Sequence, residues 1–262
     1  MGSRVRDNVE LAGELVHFSG GVLRRILSGR VLRFSGETLR QAGVFITGSV
    51  GVIFLMVFAL GLQCGIQAAY GTQAVGAPAV SGAFTALCNL REVAPYAFGY
   101  MLAAKVGTGI VAEVGAMRIS DEIDALEVMG FDGVTFLAAT RLLGILLVLP
   151  FVYVIAMGVA FAGSYVAVVI QVARVSPAAY LEVFWVFQTP LDLVLSLVKG
   201  MMMAVFVVLV GCFFGYTVTG GPVGVGTATA RSMAVNIVGI HAIGLLSSQL
   251  FWGGDPRSPV GG

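Results

Sequence analysis

The sequence predicts an all-α, polytopic membrane protein: an N-terminal interfacial amphipathic helix, five transmembrane helices, and a short cytoplasmic helix between spans two and three. Three observations carry this. Of the 262 residues, 58% are hydrophobic and 11% charged, against about 25% charged in an average soluble domain. Asp, Glu, Lys and Arg are absent from residues 41–90, 142–173, 200–230 and 232–254, and about 20 apolar residues cross a bilayer as a helix. The 36 glycines are many for a soluble helical protein but ordinary where membrane helices approach closely. A soluble globular fold is excluded. A net charge of +1 gives no reason to expect a nucleic-acid partner.

Residues 1–40 hold seven of the fifteen Lys/Arg and four acids. No compact apolar core with a cleavage site follows the first arginines, so this is not a secretory signal. Leu11, Leu15, Phe18, Val22 and Ile26 recur at helical spacing, with Arg24, Arg25 and Arg30 nearby, as in a helix lying in the membrane interface. Gly20-Gly21 is expected to bend or interrupt it. The predicted division is 1–43 for the N-terminus and interfacial helix, 44–252 for the membrane domain and 253–262 for an external tail.

Span one is expected over Val44–Tyr70, followed by a small-residue loop. Span two, Ala83–Ala116, carries Arg91, Glu92, Lys105 and Glu113; it is too long for a vertical crossing, so it tilts or extends past the hydrocarbon, and Pro95 is a candidate kink. Span three runs Phe136–Gln171, with Pro150 a candidate kink. Ala173–Pro190 reads as an external loop or interfacial helix, span four as Leu191–Thr217, Thr219–Gly226 as a loop, and span five as Ser232–Trp252. With the N-terminus inside, ten Lys/Arg fall on internal segments and three outside, which predicts a cytoplasmic N-terminus and an external C-terminus.

Between spans two and three lies Arg118–Gly130, which holds four of the fourteen acids. Ser120 is a good N-cap, Asp121 and Glu122 suit a helix N-terminus, and Gly130 is a natural terminator. A helix over 120–129 would place Ile119, Ile123, Leu126 and Met129 on one apolar face, with the acids opposite. On the cytoplasmic side, such a helix can dock into an ATPase. The chain itself has no G-x-x-x-x-G-K-[ST], its only lysines being Lys105 and Lys199. It shows no metal-ligand spacing and no nucleophile–base pair. Cys64, Cys88 and Cys212 read as packing residues. The chain is therefore not expected to be an enzyme.

Charges inside spans are costly and face a cavity, an interface or each other. Arg91 and Glu92 are adjacent, so they point apart on a helix; cross-helix pairing and contact with lipid headgroups both remain open for them and for Lys105. Lys199 follows Asp192 by seven residues and shares its face, favouring a structural or interface role. Phe54, Leu55, Phe58 and Leu62 are candidates to line an apolar lipid cavity, a pattern that helix packing also produces.

Leu90-Arg91-Glu92-Val93-Ala94-Pro95, Ala112–Arg118 and Asp121–Gly130 together resemble the signature of the MlaE/YrbE permease family, the membrane subunits of lipid ABC transporters that work with MCE-domain proteins. The similarity extends over about 45–251, and the Gly220–Gly226 run resembles the actinobacterial Mce branch. The chain departs from the family pattern at Lys105, Asp121, Ala94 and Gly133, where Arg, Glu, Gly and Pro are usual. The resemblance implies two permeases, here a heterodimer with a paralogue, packed around a lipid cavity in the inner (plasma) membrane. Separate ABC ATPase subunits bind ATP and Mg2+ while this chain holds no cofactor, and the lipid passes to or from an MCE tunnel, import being usual. Asp121, Glu122, Ile123, Asp124, Leu126, Glu127 and Met129 would couple to the ATPase. The competing readings are an ion-coupled secondary transporter, disfavoured because spans three and five contain no acid, and a non-transporting scaffold for MCE proteins.

Overall fold

The computed structural model describes residues 2–254, and among them every regular element is helical. The order is α1 (Gly2–Leu27), α2 (Arg30–Ala74), α3 (Pro78–Ile119), α4 (Glu122–Val128), α5 (Thr135–Val172), α6 (Pro177–Val186), α7 (Pro190–Tyr216) and α8 (Gly221–Trp252). Helices α2, α3, α5, α7 and α8 are long and apolar enough to cross a bilayer. Even α7, the shortest of these at 27 residues, reaches about 40 Å at 1.5 Å per residue. The fold is thus the five-span, all-α architecture that the apolar runs predict. The external tail expected over 253–262 lies, from Asp255 onward, outside the described residues, as does Arg257 of the charge count.

The described residues group into two compact units, and each of the five spans contributes to both. Within the described residues, the first comprises 2–48, Ala103–Val148 and Val205–Ile237; the second comprises Ser49–Leu102, Leu149–Ala204 and 238–254. In the first unit, Val111 of α3 and Val210, Phe213 and Phe214 of α7 form a buried cluster, on which Leu11, Leu15 and Phe18 of α1 pack. Phe18 meets the Phe213 ring edge-on at 5.8 Å. Val9, Val16, Leu23 and Leu27 of α1 remain exposed, so this helix has an apolar surface left over after packing on its own bundle. It runs unbroken through Gly20-Gly21, contrary to the expected interruption. The packing around fully buried Val22 outweighs the roughly 1 kcal/mol that each interior glycine costs a helix.

The chain turns at Gly220 (φ 86°) and Gly221 (φ 70°), and α8 begins there rather than at Ser232. The expected loop over Thr219–Gly226 is therefore mostly helix. Pro222 sits in its first turn, where a missing N–H costs nothing because no intrahelical acceptor precedes it. Helix α5 likewise continues through Pro150.

The second unit is held by a seam of small residues between α2 and α5. A Cβ on Gly65 would lie 2.7 Å from Ala167 Cβ and 2.8 Å from the Ser164 carbonyl oxygen. One on Gly163 would meet the Phe58 carbonyl at 2.5 Å and the Leu62 nitrogen at 3.0 Å. Dispersion contacts at this separation substitute for the hydrophobic drive that lipid removes. Asn89 of α3 donates to Ser164 Oγ (2.6 Å), and Ser164 donates to the Gly61 carbonyl (2.8 Å), which joins three spans. Ala173–Pro190 is a helix for most of its length rather than a loop. Ser176 caps α6 by accepting from Ala179 N–H (3.3 Å), with Pro177 at its first turn. Tyr180 and Phe184 bury against Ala69, Ala86 and Val168, and the Tyr180 hydroxyl bonds to Thr85 Oγ1 (2.8 Å).

Candidate functional site

In the first unit, α3 ends at Ile119 and the backbone reverses at Asp121, which takes a left-handed conformation (φ 57°). Asp is among the few residues that tolerate it. Ser120 is consequently not the N-cap of α4. Its hydroxyl turns back to the Ala116 carbonyl (2.9 Å) and to Glu122 Oε1 (3.0 Å). Asp121 holds the cap position without a side-chain bond. Glu122 and Asp124 occupy the first turn, favourable at the positive end of the dipole. The far end is a Schellman closure: Phe131 N–H donates to the Leu126 carbonyl (3.0 Å) and Gly130 N–H to that of Glu127 (3.0 Å), with Gly130 at φ 84°. The Gly130 stop is as predicted, but the helix is seven residues rather than nine or ten.

The break at Asp121 rearranges the predicted apolar face. Ile119 belongs to α3. Ile123 is fully buried, beside Gly133 and within its own fold, so it anchors α4 and presents nothing outward. This corrects its assignment as a docking side chain. Leu126 is half-buried, whereas Val128 (89% exposed) and Met129 (64%) project. Val128 was missed because a phase counted from Ile119 places it off the face.

The acids divide too. Arg118 Nη1 donates to Asp124 Oδ1 (2.6 Å) and its guanidinium lies over the Tyr216 ring (5.9 Å). The Tyr216 hydroxyl donates to Glu127 Oε1 (2.6 Å). Asp124 and Glu127 thus tie α4 to α3 and α7, which leaves Asp121 and Glu122 as the outward acids. Behind α4, Asp132 caps α5 through Thr135 N–H (3.2 Å) and Oγ1 (2.9 Å) and receives Arg25 Nε of α1 at 2.8 Å. Neither Tyr216 nor Arg25 carried a sequence signal for these bonds, because their partners are remote in the chain.

The second unit brings together three of the four intramembrane charges. Asn89–Val93 of α3 forms a π-helical turn, and Pro95 follows it. Pro95 has no N–H to offer the Arg91 carbonyl four residues earlier. Instead, Lys199 Nζ of α7 donates to that carbonyl (2.7 Å), to Glu92 Oε2 (2.9 Å) and to Ser248 Oγ of α8 (2.7 Å), and lies 4.9 Å from the Tyr96 ring centroid. Ser196, one turn earlier on α7, donates to the Leu90 carbonyl. Arg91 pairs with fully buried Asp192 (3.2 Å), which also accepts from Trp252 Nε1 (2.7 Å). Arg91 and Glu92 do point apart, and each finds its partner on α7. Glu92 remains 47% exposed, beside half-buried Tyr96 and Tyr100 and exposed His241. Tyr100 and His241 share a bond of 2.9 Å. Lys105 belongs to the first unit and is exposed within a second π-helical segment, Leu102–Gly107. Among the cavity candidates, Phe54, Phe58 and Leu62 are half-buried and Leu55 is 71% exposed; the Phe58 and Leu62 backbones abut the α2–α5 seam.

A five-span bundle with a short helix clamped at both ends on an inter-span loop has the form of a transporter's membrane subunit. The family model of permease MlaE matches residues 38–250, and the chain belongs to that family. It is 28% identical over 243 residues to "Probable ABC transporter permease protein slr1045" of Synechocystis, covering 93% of this chain and 91% of that one. It is 28% identical over 244 residues to "Protein TRIGALACTOSYLDIACYLGLYCEROL 1, chloroplastic" of Arabidopsis thaliana (90% and 67%). It is 27% identical over 204 residues to "Probable ABC transporter permease protein RC0129" of Rickettsia conorii (78% of each).

Proposed function

We propose that this chain is the permease subunit of an ATP-driven lipid transporter of the MCE type, in the actinobacterial Mce (YrbE) branch. It pairs with a paralogous permease, passes lipid to or from MCE-domain proteins in the direction of import, and relies on a separate ABC ATPase that binds ATP and Mg2+. It lies in the plasma membrane with its N-terminus cytoplasmic and its C-terminus external. The observation that carries the reading is α4. Buried Ile123 and the Arg118–Asp124 and Tyr216–Glu127 bonds hold it as a rigid lever, while Val128 and Met129 stand free at its tip. Membership of a permease family and relatives named as ABC transporter permeases support an ATPase as what the tip engages. Closure of the ATPase on ATP moves α4, and the bonds to α3 and α7 pass the movement into the spans that bear the Arg91–Asp192 and Glu92–Lys199 pairs.

The test is Val128→Glu with Met129→Glu, purified with the accompanying ATPase. Two apolar side chains withheld from an interface at about 1.5 kcal/mol each or more weaken the complex by about a hundredfold, so ATPase copurification and lipid transport should both fall. Unchanged assembly and transport would remove α4 as the coupling element.

A further inference from the structure

Two cavities flank the junction of α1 and α2, and Arg30 lines both. One, of about 680 Å3, is walled by Arg30, Arg33, Phe34, Phe131 and Asp132. The other, of about 480 Å3, is walled by His17, Arg24, Arg25 and Arg30. The walls carry four arginines against one carboxylate, and that carboxylate, Asp132, is engaged by Arg25 at 2.8 Å. Among the described residues, Arg24, Arg30 and Arg33 are exposed and no carboxylate pairs with them. Leu27 (87% exposed) and Leu32 (68%) stand beside these arginines in sequence.

We infer that this junction is a binding site for the phosphate of an anionic phospholipid headgroup, drawn from the leaflet on which α1 lies. Guanidinium forks match phosphate oxygens in charge and geometry. A soluble phosphate would use the arginines equally well; the exposed leucines decide for lipid, since they gain from immersion in acyl chains only when the phosphate belongs to a membrane. The site is distinct from the Arg91–Lys199 network, which lies in the other unit. Because Gly130, Phe131 and Asp132 form one wall, a bound headgroup touches the segment directly after α4. Bulk membrane composition thereby gains a hold on the lever, separate from the lipid being carried.

The test uses the full chain, with the subunits that accompany it, in phosphatidylcholine nanodiscs containing a trace of photoreactive phosphatidylglycerol or photoreactive phosphatidylcholine. Peptide mapping should find phosphatidylglycerol adducts on residues 27–34, exceeding phosphatidylcholine adducts by about 30-fold, taking about 1 kcal/mol for each of two arginines that meet the net negative charge of the headgroup. Arg30→Gln with Arg33→Gln should bring the two lipids to parity. If the double variant fails to fold, either single variant should lower the preference by about fivefold. Equal labelling by both lipids in the wild type, or a preference that survives the substitutions, overturns the proposal. So does labelling of residues 27–34 by a water-soluble photoreactive glycerophosphate, at the same molar concentration, that equals the labelling by bilayer phosphatidylglycerol, which identifies a soluble anion as the ligand.

Discussion

Replacing Lys199 by Met keeps most of the side-chain volume and removes only the ammonium, so it isolates the polar account of the α3–α7 contact. Three bonds disappear, to the Arg91 carbonyl, Glu92 and Ser248, and they differ in weight. Glu92 is 47% exposed and keeps its bond from Ser248 Oγ at 2.7 Å, so that ion pair contributes about 0–1 kcal/mol. The Arg91 carbonyl loses its Lys199 donor, and Pro95 cannot replace it; an unsatisfied buried acceptor costs about 1–3 kcal/mol. Relief of the desolvated ammonium offsets part of this, leaving a net loss of about 2 kcal/mol. The assay is equilibrium unfolding in mixed micelles, followed by helicity. Restoring a backbone donor tests the account: Pro95→Ala in the Lys199→Met background should recover about 1 kcal/mol, though in the wild-type background it should gain nothing. A Lys199→Met protein as stable as wild type, or a double variant no better than Lys199→Met alone, would refute the reasoning.

Gly65→Val drives a branched side chain into Ala167 and the Ser164 carbonyl. It should destabilise the protein by about 3 kcal/mol in the same assay, whereas Gly51→Val, with open space around its Cβ, should stay within about 0.5 kcal/mol. For Asp132, partial burial is the largest single influence and raises the carboxyl, but the Arg25 bond and the Thr135 hydroxyl and N–H together outweigh it and hold the group below its ordinary value. A depressed folded value gives stability that is fully present above the unfolded pKa of about 3.9 and is lost as pH falls through the folded value. Asp132→Asn should therefore loosen α1 at neutral pH, seen as faster amide exchange over residues 10–27, and the difference from wild type should begin to shrink as pH falls below about 4 and vanish only once the folded carboxyl is itself protonated. A gap that persists unchanged in acid would show that the carboxylate charge is not what binds α1.

Much of the fold was legible because lipid leaves few choices: a run without charges, long enough to span, must satisfy its backbone internally and so becomes a helix. Boundaries were less legible. Helix α2 begins well before Val44 and α8 well before Ser232, since polar and glycine-rich turns stay helical once packed. The same reason keeps α1 continuous through Gly20-Gly21. On α4, the place of Glu122 in the first turn was readable from the helix dipole and the exposure of Met129 from helical phase. Ile123 and Val128 exchanged roles because a single left-handed residue, Asp121, resets the helical phase, and composition does not reveal which residue will take that conformation. Arg91, Glu92 and Lys199 were flagged by their cost in hydrocarbon, but their pairing through Asp192, Ser248 and the Arg91 carbonyl depends on spans remote in sequence.

The π-helical turn before Pro95 also decides which of the Lys199 bonds depend on side chains. Two of the three end on Glu92 and Ser248 and go with those residues, whereas the third ends on a main-chain oxygen to which the imino acid donates nothing, so it outlasts any replacement of either side chain.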